Sequence, residues 1–295
     1  MVTHPSGRLE CSMTPRPPAH TAPTNSEISA YWDSRIHDTV LSQDPPGSPG
    51  FYSAMDAYRY GRLDYLSDLV DFGRWRARDV LDLGCGAGLD LVRFARAGAR
   101  AAGVDLSAGA LAMASDYLGV SGLKASLVCA DAAQLPFAKA SFDLVFCHGV
   151  LSFVRDENAV VAEVCRILRP DGLAILMVYN RRSAMYAAHR VAGLPLGHAD
   201  APGFRTHTRA EFEALLSPFD SCEVRYERLP ATTSQRTGPG VTLFNAGLRI
   251  ARRALPEAWF RATGWHMIAR CGIGEEHGQG FRGDRSAECA SRGQR

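Results

Sequence analysis

The sequence predicts an α/β protein built on a mostly parallel sheet with helices on both faces, and three observations carry that prediction. Short apolar runs alternate with helically spaced segments from Arg78 to Asn180, the pattern of strands joined by covering helices. The first run, Asp79-Val80-Leu81-Asp82-Leu83, ends in glycines that open a helix, so strand, turn and helix follow in order. The next run, Ala102-Gly103-Val104, ends in a carboxylate, Asp105.

Taken along the chain, residues 1–26 are polar and broken by Pro15, Pro17, Pro18 and Pro23, which reads as a disordered tail. Residues 27–76 are rich in aromatics, with Tyr58, Leu63, Leu66 and Val70 at helical spacing, and read as a helical cap over the main domain. That domain spans 77–273. After the glycine turn, Leu91, Phe94 and Ala95 mark a helix; Ala101 to Val104 form a second strand, and Leu111, Ala114 and Leu118 share the face of the helix that follows. Ser126 to Cys129 and Phe142 to Cys147 are the third and fourth strands, with Val160, Val164, Ile167 and Leu168 marking a helix after them. Arg169-Pro170-Asp171-Gly172 is expected to stop that helix and turn into a fifth strand, Leu173 to Tyr179.

Residues 181–206 form an insertion that interrupts the alternation, placed on the side of the sheet where a ligand would be covered. Thr208 and Glu211 then spell a capping box that opens a helix. Cys222 to Tyr226 and Trp265 to Cys271 read as closing strands around a second insertion at 228–263, and residues 274–295 as a second disordered tail.

Composition sets limits. The chain has 295 residues, 46% of them hydrophobic, and a formal charge of +2, enough for one large core and too mild for a nucleic-acid partner. Its 8 cysteines show no paired metal-site spacing and read as free thiols of a cytoplasmic protein, with no metal. Apolar runs fall short of the ~20 residues of a membrane span.

The most informative motif is Asp82-Leu83-Gly84-Cys85-Gly86-Ala87-Gly88. Glycines serve where a ligand lies against bare backbone or where φ is positive. A dinucleotide fingerprint would need glycine at 89, where Leu89 stands, so the turn suits a ligand without a pyrophosphate. Asp105 can accept hydrogen bonds from two ribose hydroxyls; capping the helix that starts near Ser107 is its lesser reading. Asp131 and Ala132 follow the third strand where an adenine edge would lie.

These motifs, with Val104-Asp105-Leu106-Ser107, Leu135-Pro136-Phe137, Ser141-Phe142-Asp143 and Leu168-Arg169-Pro170-Asp171-Gly172, resemble the ordered signature of class I S-adenosylmethionine-dependent methyltransferases. The likeness is greatest to the small-molecule branch that includes ubiquinone and menaquinone C-methyltransferases. It implies a seven-stranded Rossmann-like sheet of order 3-2-1-4-5-7-6, its last strand antiparallel. It also implies that S-adenosylmethionine, converted to S-adenosylhomocysteine, lies over Gly84, Gly86 and Gly88, with Asp82 near its amino end. Asp105 and Leu106 would hold the ribose, Asp131 and Ala132 the adenine.

Methyl transfer chiefly requires alignment and exclusion of water, and a base only where the acceptor must lose a proton. His148, at the end of the fourth strand, is the candidate base; lining the cofactor pocket is its other reading. Tyr179, Asn180, His207, Tyr31 and Tyr52 are candidates to meet a small-molecule acceptor, as are Trp32, His37 and Tyr58. Residues 243–255 carry Phe244, Leu248, Ala251 and Leu255 on one helical face with Arg249 and Arg253 turned away, which either covers the protein's own core or makes peripheral contact with lipid. The competing functional reading is a non-catalytic S-adenosylmethionine-binding module that regulates or scaffolds a partner.

Overall fold

The computed structural model of the chain describes residues 22–35, 44–192, 198–227, 239–256, 258–259 and 263–274. Most of both expected tails, and His37, lie outside the described residues. The first tail ends earlier than expected, because Thr24 and Glu27 form a capping box that starts helix α1 at Asn25 (Asn25–Ser34). A threonine followed three residues later by glutamate satisfies two otherwise unpaired backbone N–H groups.

Helices α2 (Pro49–Arg62) and α3 (Tyr65–Val70) and a short 3₁₀ turn at Phe72–Trp75 complete the N-terminal segment. Their buried Phe51, Tyr52, Met55, Leu66 and Leu69 join the same core as Leu91, Phe94 and Leu144 of the main domain. Strand β1 (Asp79–Leu83), helix α4 (Leu89–Arg96), strand β2 (Arg100–Asp105), helix α5 (Ala108–Val120), strand β3 (Ser126–Cys129), strand β4 (Phe142–His148) and helix α6 (Glu157–Ile167) then alternate as expected. The remaining elements are β5 (Leu168–Tyr179), α7 (Ala184–Ala192), α8 (Arg209–Leu215), β6 (Ser221–Tyr226), α9 (Pro239–Ala254) and β7 (His266–Gly272).

The seven strands lie in the order β3-β2-β1-β4-β5-β7-β6. β1 to β5 pair in parallel, and β7 runs antiparallel to both its neighbours. One core fills the face covered by α2 to α5, and a second, around Leu81, Val145, Val161 and Phe212, fills the face covered by α6 and α8. With both faces buried, the central strands need continuous apolar runs, which is what Val80-Leu81 and Leu173 to Val178 provide.

Two expectations are corrected and a third gains detail. Arg169 to Gly172 form no separate turn: β5 already begins at Leu168 opposite Phe142, and pairing resumes at Leu173 opposite Leu144, so the intervening residues bulge out of the ladder. Insertion 181–206 carries a regular helix, α7, with Met185 and His189 buried. Cys222 and Cys271 are not free thiols; they stand opposite each other in the β6/β7 register, with Cα atoms 4.2 Å apart, and form a disulfide. Their separation of 49 residues hides a pairing that only the antiparallel register reveals.

The bulge has a structural purpose. Arg169 reaches Asp79 at 2.8 Å and Asp143 at 2.7 Å, and Asp79 also pairs with Arg100, so one cluster ties together the starts of β1, β4, β5 and β2. The Arg100 and Arg169 guanidiniums lower the Asp79 carboxyl to about 2. A depressed carboxyl stabilises the fold above its unfolded value near ~4 and ceases to do so as pH falls through the folded value. Asp79→Asn should therefore lower the melting temperature at pH 7 and leave it unchanged near pH 2; equal melting shifts at both pH values would show that the charge is not what matters.

Candidate active site

A cavity of about 470 Å³ opens at the C-terminal ends of the parallel strands, a volume within the range of small-molecule sites. Gly84, Gly86, Asp105, Leu106, Asp131, Ala132, His148, Tyr31 and Tyr179 all line it. Sequence reasoning placed them at the ends of five strands and in the cap, and the sheet order brings those ends together.

The glycine turn does three different jobs. Gly84, Gly86 and Gly88 have φ of +74°, +53° and +81°, where a Cβ is strained. A Cβ on Gly84 would come within 2.1 Å of Val150, whereas one on Gly86 would enter open space. Gly86 is thus the position where bare backbone faces the cavity. Gly88 does not line it; a Cβ there would press on Ala114 of α5 at 3.0 Å, so this glycine is required for packing.

Asp105 ends β2 beside that turn. One carboxyl oxygen accepts from the Gly86 N–H at 2.8 Å and the other from the Ser107 N–H at 2.9 Å. Each oxygen keeps a second lone pair, so the group can still accept from two hydroxyls. Burial raises its pKa, and the backbone N–H groups of Ser107 and Gly86 oppose that rise. Asp82 is placed differently: it is 3% exposed, is absent from the cavity wall, and has one carboxyl oxygen without a hydrogen-bond donor. Burial pushes its pKa well up, and the negative charges of Asp90 and Asp105 add to the effect.

Helix α1 covers the strand ends through side chains. Asn25 donates to Asp131 at 2.6 Å, Ser29 to the Leu106 carbonyl at 3.1 Å, and Asp33 accepts from the Ser107 hydroxyl and the Gly109 N–H. Asn25 itself lines the cavity. No sequence signal marked it, since it fell within the stretch read as a tail.

The other half of the cavity is aromatic and basic. Tyr179 stacks on Trp265 with ring centres 4.8 Å apart, and Phe153, Met177 and Met185 complete the apolar wall. Arg59 is held by a two-pronged ion pair to Asp90. The Tyr65 hydroxyl sits between Nε2 of His148, at 2.9 Å, and Nδ1 of His266. Tyr65 and His266 were missed in the sequence, where each sat in an apolar pattern that described core.

Three acceptor candidates lie elsewhere. Tyr52 is buried, stacks on Tyr117 and donates to the Met113 carbonyl. Asn180 donates to the Gly264 carbonyl and accepts from the Arg182 N–H. His207 pairs with Glu157 at 2.9 Å and sits next to Asn180 through a single β-bridge. All three lie off the cavity wall. Trp32 and Tyr58 line it, and Tyr31 joins α1 to the first insertion by contacts to His198 and Asp200.

Strand order, one antiparallel strand and a glycine turn paired with an acid make up the Rossmann-like fold that the sequence predicts. A family model described as "Methyltransferase domain" matches residues 81–176, and over that segment the chain resembles the S-adenosylmethionine-dependent methyltransferases. The chain is 37% identical over 126 residues to the ubiquinone biosynthesis O-methyltransferase of Aromatoleum aromaticum, covering 42% of this chain and 53% of that protein. Against the protein of the same name from Rhizobium etli it is 29% identical over 184 residues, covering 57% and 70%. The chain spans about half the length of the first of these curated relatives. Among solved structures, the [4+2]-cyclase SpnF superposes with a TM-score of 0.55 at 19% identity, covering 87% of this chain and 98% of that one, a likeness of fold alone.

Proposed function

We propose that this protein transfers a methyl group from S-adenosylmethionine to a small-molecule acceptor. The observation that carries the reading is the pairing of open backbone at Gly86 with the two spare acceptor positions on Asp105. S-adenosylmethionine supplies, when bound, a methyl group activated by a sulfonium. Gly84 and Gly86 would lie against its methionine part, Asp105 would accept the ribose hydroxyls, and Asp131 with Ala132 would meet the adenine. The Leu106 side of the wall, under α1, keeps water from the nucleoside. His148 would take the acceptor's proton where the acceptor has one to lose, while Tyr179, Trp265 and Phe153 hold its apolar body.

The named relatives act in ubiquinone biosynthesis, and the aromatic wall suits a quinone-like, isoprenoid or other secondary-metabolite acceptor. We place the enzyme in the cytoplasm, where the Cys222–Cys271 bond would face a reducing environment. Peripheral lipid contact through 243–255 belongs to the same reading. Among the described residues no helix is long and apolar enough to cross a membrane, yet Leu243 and Ile250 of α9 are 76% and 68% exposed. Phe244, by contrast, turns inward toward Met185 and Trp265.

One experiment tests these points together. Protein incubated with methyl-labelled S-adenosylmethionine and a metabolite extract, with and without anionic vesicles, should put label into a low-mass organic-soluble product and sediment in part with the vesicles. Cofactor binding without label in any product would favour a regulatory or scaffold module, and absence of sedimentation would remove the lipid contact.

A further inference from the structure

We propose that Asn25 reads the adenine of the bound nucleoside, its side-chain amide locked by Asp131 in the orientation that accepts a 6-amino group and refuses a 6-oxo group. The inference deepens the proposed function and rests on it, since that reading is what sets Asp131 at the adenine edge.

Three contacts fix where Asn25 stands. Asn25, Ser29 and Asp33 recur every four residues and so form one stripe along α1. Ser29 donates to the Leu106 carbonyl at 3.1 Å, and Asp33 accepts from the Ser107 hydroxyl and the Gly109 N–H. The stripe is thereby laid across the segment after β2. Its first member reaches the segment after β3, where Asn25 donates to Asp131 at 2.6 Å. Asn25 and Asp131 both line the cavity, with Ile28 and Leu106 as apolar neighbours.

The lock follows from which atoms can donate. A carboxylate offers lone pairs only, whereas a primary amide carries two N–H donors on its nitrogen and an acceptor on its oxygen. Nδ2 of Asn25 must therefore face Asp131, because turning the amide over would set two acceptors against each other. The other Asp131 oxygen accepts from the Ala133 N–H at 2.9 Å, which keeps the carboxylate from swinging away. One Asn25 N–H is used in this way; among the described residues its side chain makes no other hydrogen bond. The second N–H and the carbonyl oxygen remain, and a donor with an acceptor is the complement of adenine, which presents a ring nitrogen beside its 6-amino group. Hypoxanthine carries a 6-oxo group there and would set oxygen against oxygen. The amide cannot rotate to relieve that clash while Asp131 holds Nδ2.

The test is calorimetry on the full chain with S-adenosylhomocysteine and with its deaminated counterpart, S-inosylhomocysteine. The wild type should bind the adenine form more tightly, and Asn25→Ala should shrink that preference by roughly 5- to 150-fold, the range for a two-pronged asparagine–adenine contact. Ser29→Ala loosens α1 away from the purine, so it should weaken both ligands alike and leave the preference intact. The same behaviour in Asn25→Ala would show a residue that only holds the helix and would overturn the proposal, as would equal binding of the two ligands by the wild type. Helix α1 buries only Ile28, so the core survives these substitutions, and the wild-type comparison needs no variant. Failure of the wild type to bind S-adenosylhomocysteine would sink the proposed function and this inference with it; tight binding with a preference unchanged in Asn25→Ala would sink the inference alone.

Discussion

Replacing Asp105 by alanine should weaken binding of S-adenosylhomocysteine by at least tenfold and by about 100-fold or more if both ribose contacts are lost. Each hydrogen bond to a charged group contributes ~1.5 to 3 kcal/mol, and ~1.4 kcal/mol is a factor of ten in affinity. The substitution also strips the Gly86 and Ser107 N–H groups of their acceptor, so part of the loss would come through the turn itself. Asp105→Asn separates the two contributions, since the amide keeps an acceptor on one side while losing the charge. Calorimetry reads both variants, with melting curves as the check on folding. Unchanged affinity in the alanine variant would take Asp105 out of the nucleoside site.

The second large effect is expected at His148. A positioned general base accounts for roughly 10² to 10⁴ in rate, so His148→Gln should lower kcat by about that range once a labelled product identifies the acceptor, with affinity for S-adenosylhomocysteine little changed. Glutamine keeps a polar end near Tyr65 and cannot take a proton at neutral pH, so a loss of turnover points to proton transfer. A loss confined to cofactor affinity would leave His148 as wall and nothing more.

The sheet, and the side of the cavity lined by Gly86, Asp105 and Asp131, were legible because their signals are local. A strand that runs into glycines, and a second that ends in a lone acid, state their own positions; parallel pairing then sets Leu83 beside Val104 and so brings Gly84 to Asp105. The aromatic side of the cavity is assembled from residues far apart in the chain. Tyr65 comes from a six-residue helix, His148 from β4 and His266 from β7; His148 stood out at its strand end, whereas Tyr65 and His266 sit in apolar patterns that describe packing equally well. Tyr52 and His207 show the converse: their residue types suggested a ligand, but the Tyr52 hydroxyl donates to Met113, His207 pairs through Nε2 with Glu157, and neither residue lines the cavity. Gly88 belongs with them, a glycine demanded by a neighbouring helix. The disulfide was hidden for the same reason as the contacts of Tyr65 with His148 and His266, since register between distant strands is not written in either strand alone.

Helix α1 has a consequence for ligand exchange. It buries only Ile28 and is held over the strand ends by polar contacts of Asn25, Ser29 and Asp33 that water can replace, with Trp32 edge-on to Phe153. Segments with little buried apolar surface open at low cost in free energy, so the roof can lift while both hydrophobic cores stay intact. Lifting this ten-residue helix would open the floor at Leu106 and Asp131 without unfolding the sheet beneath it.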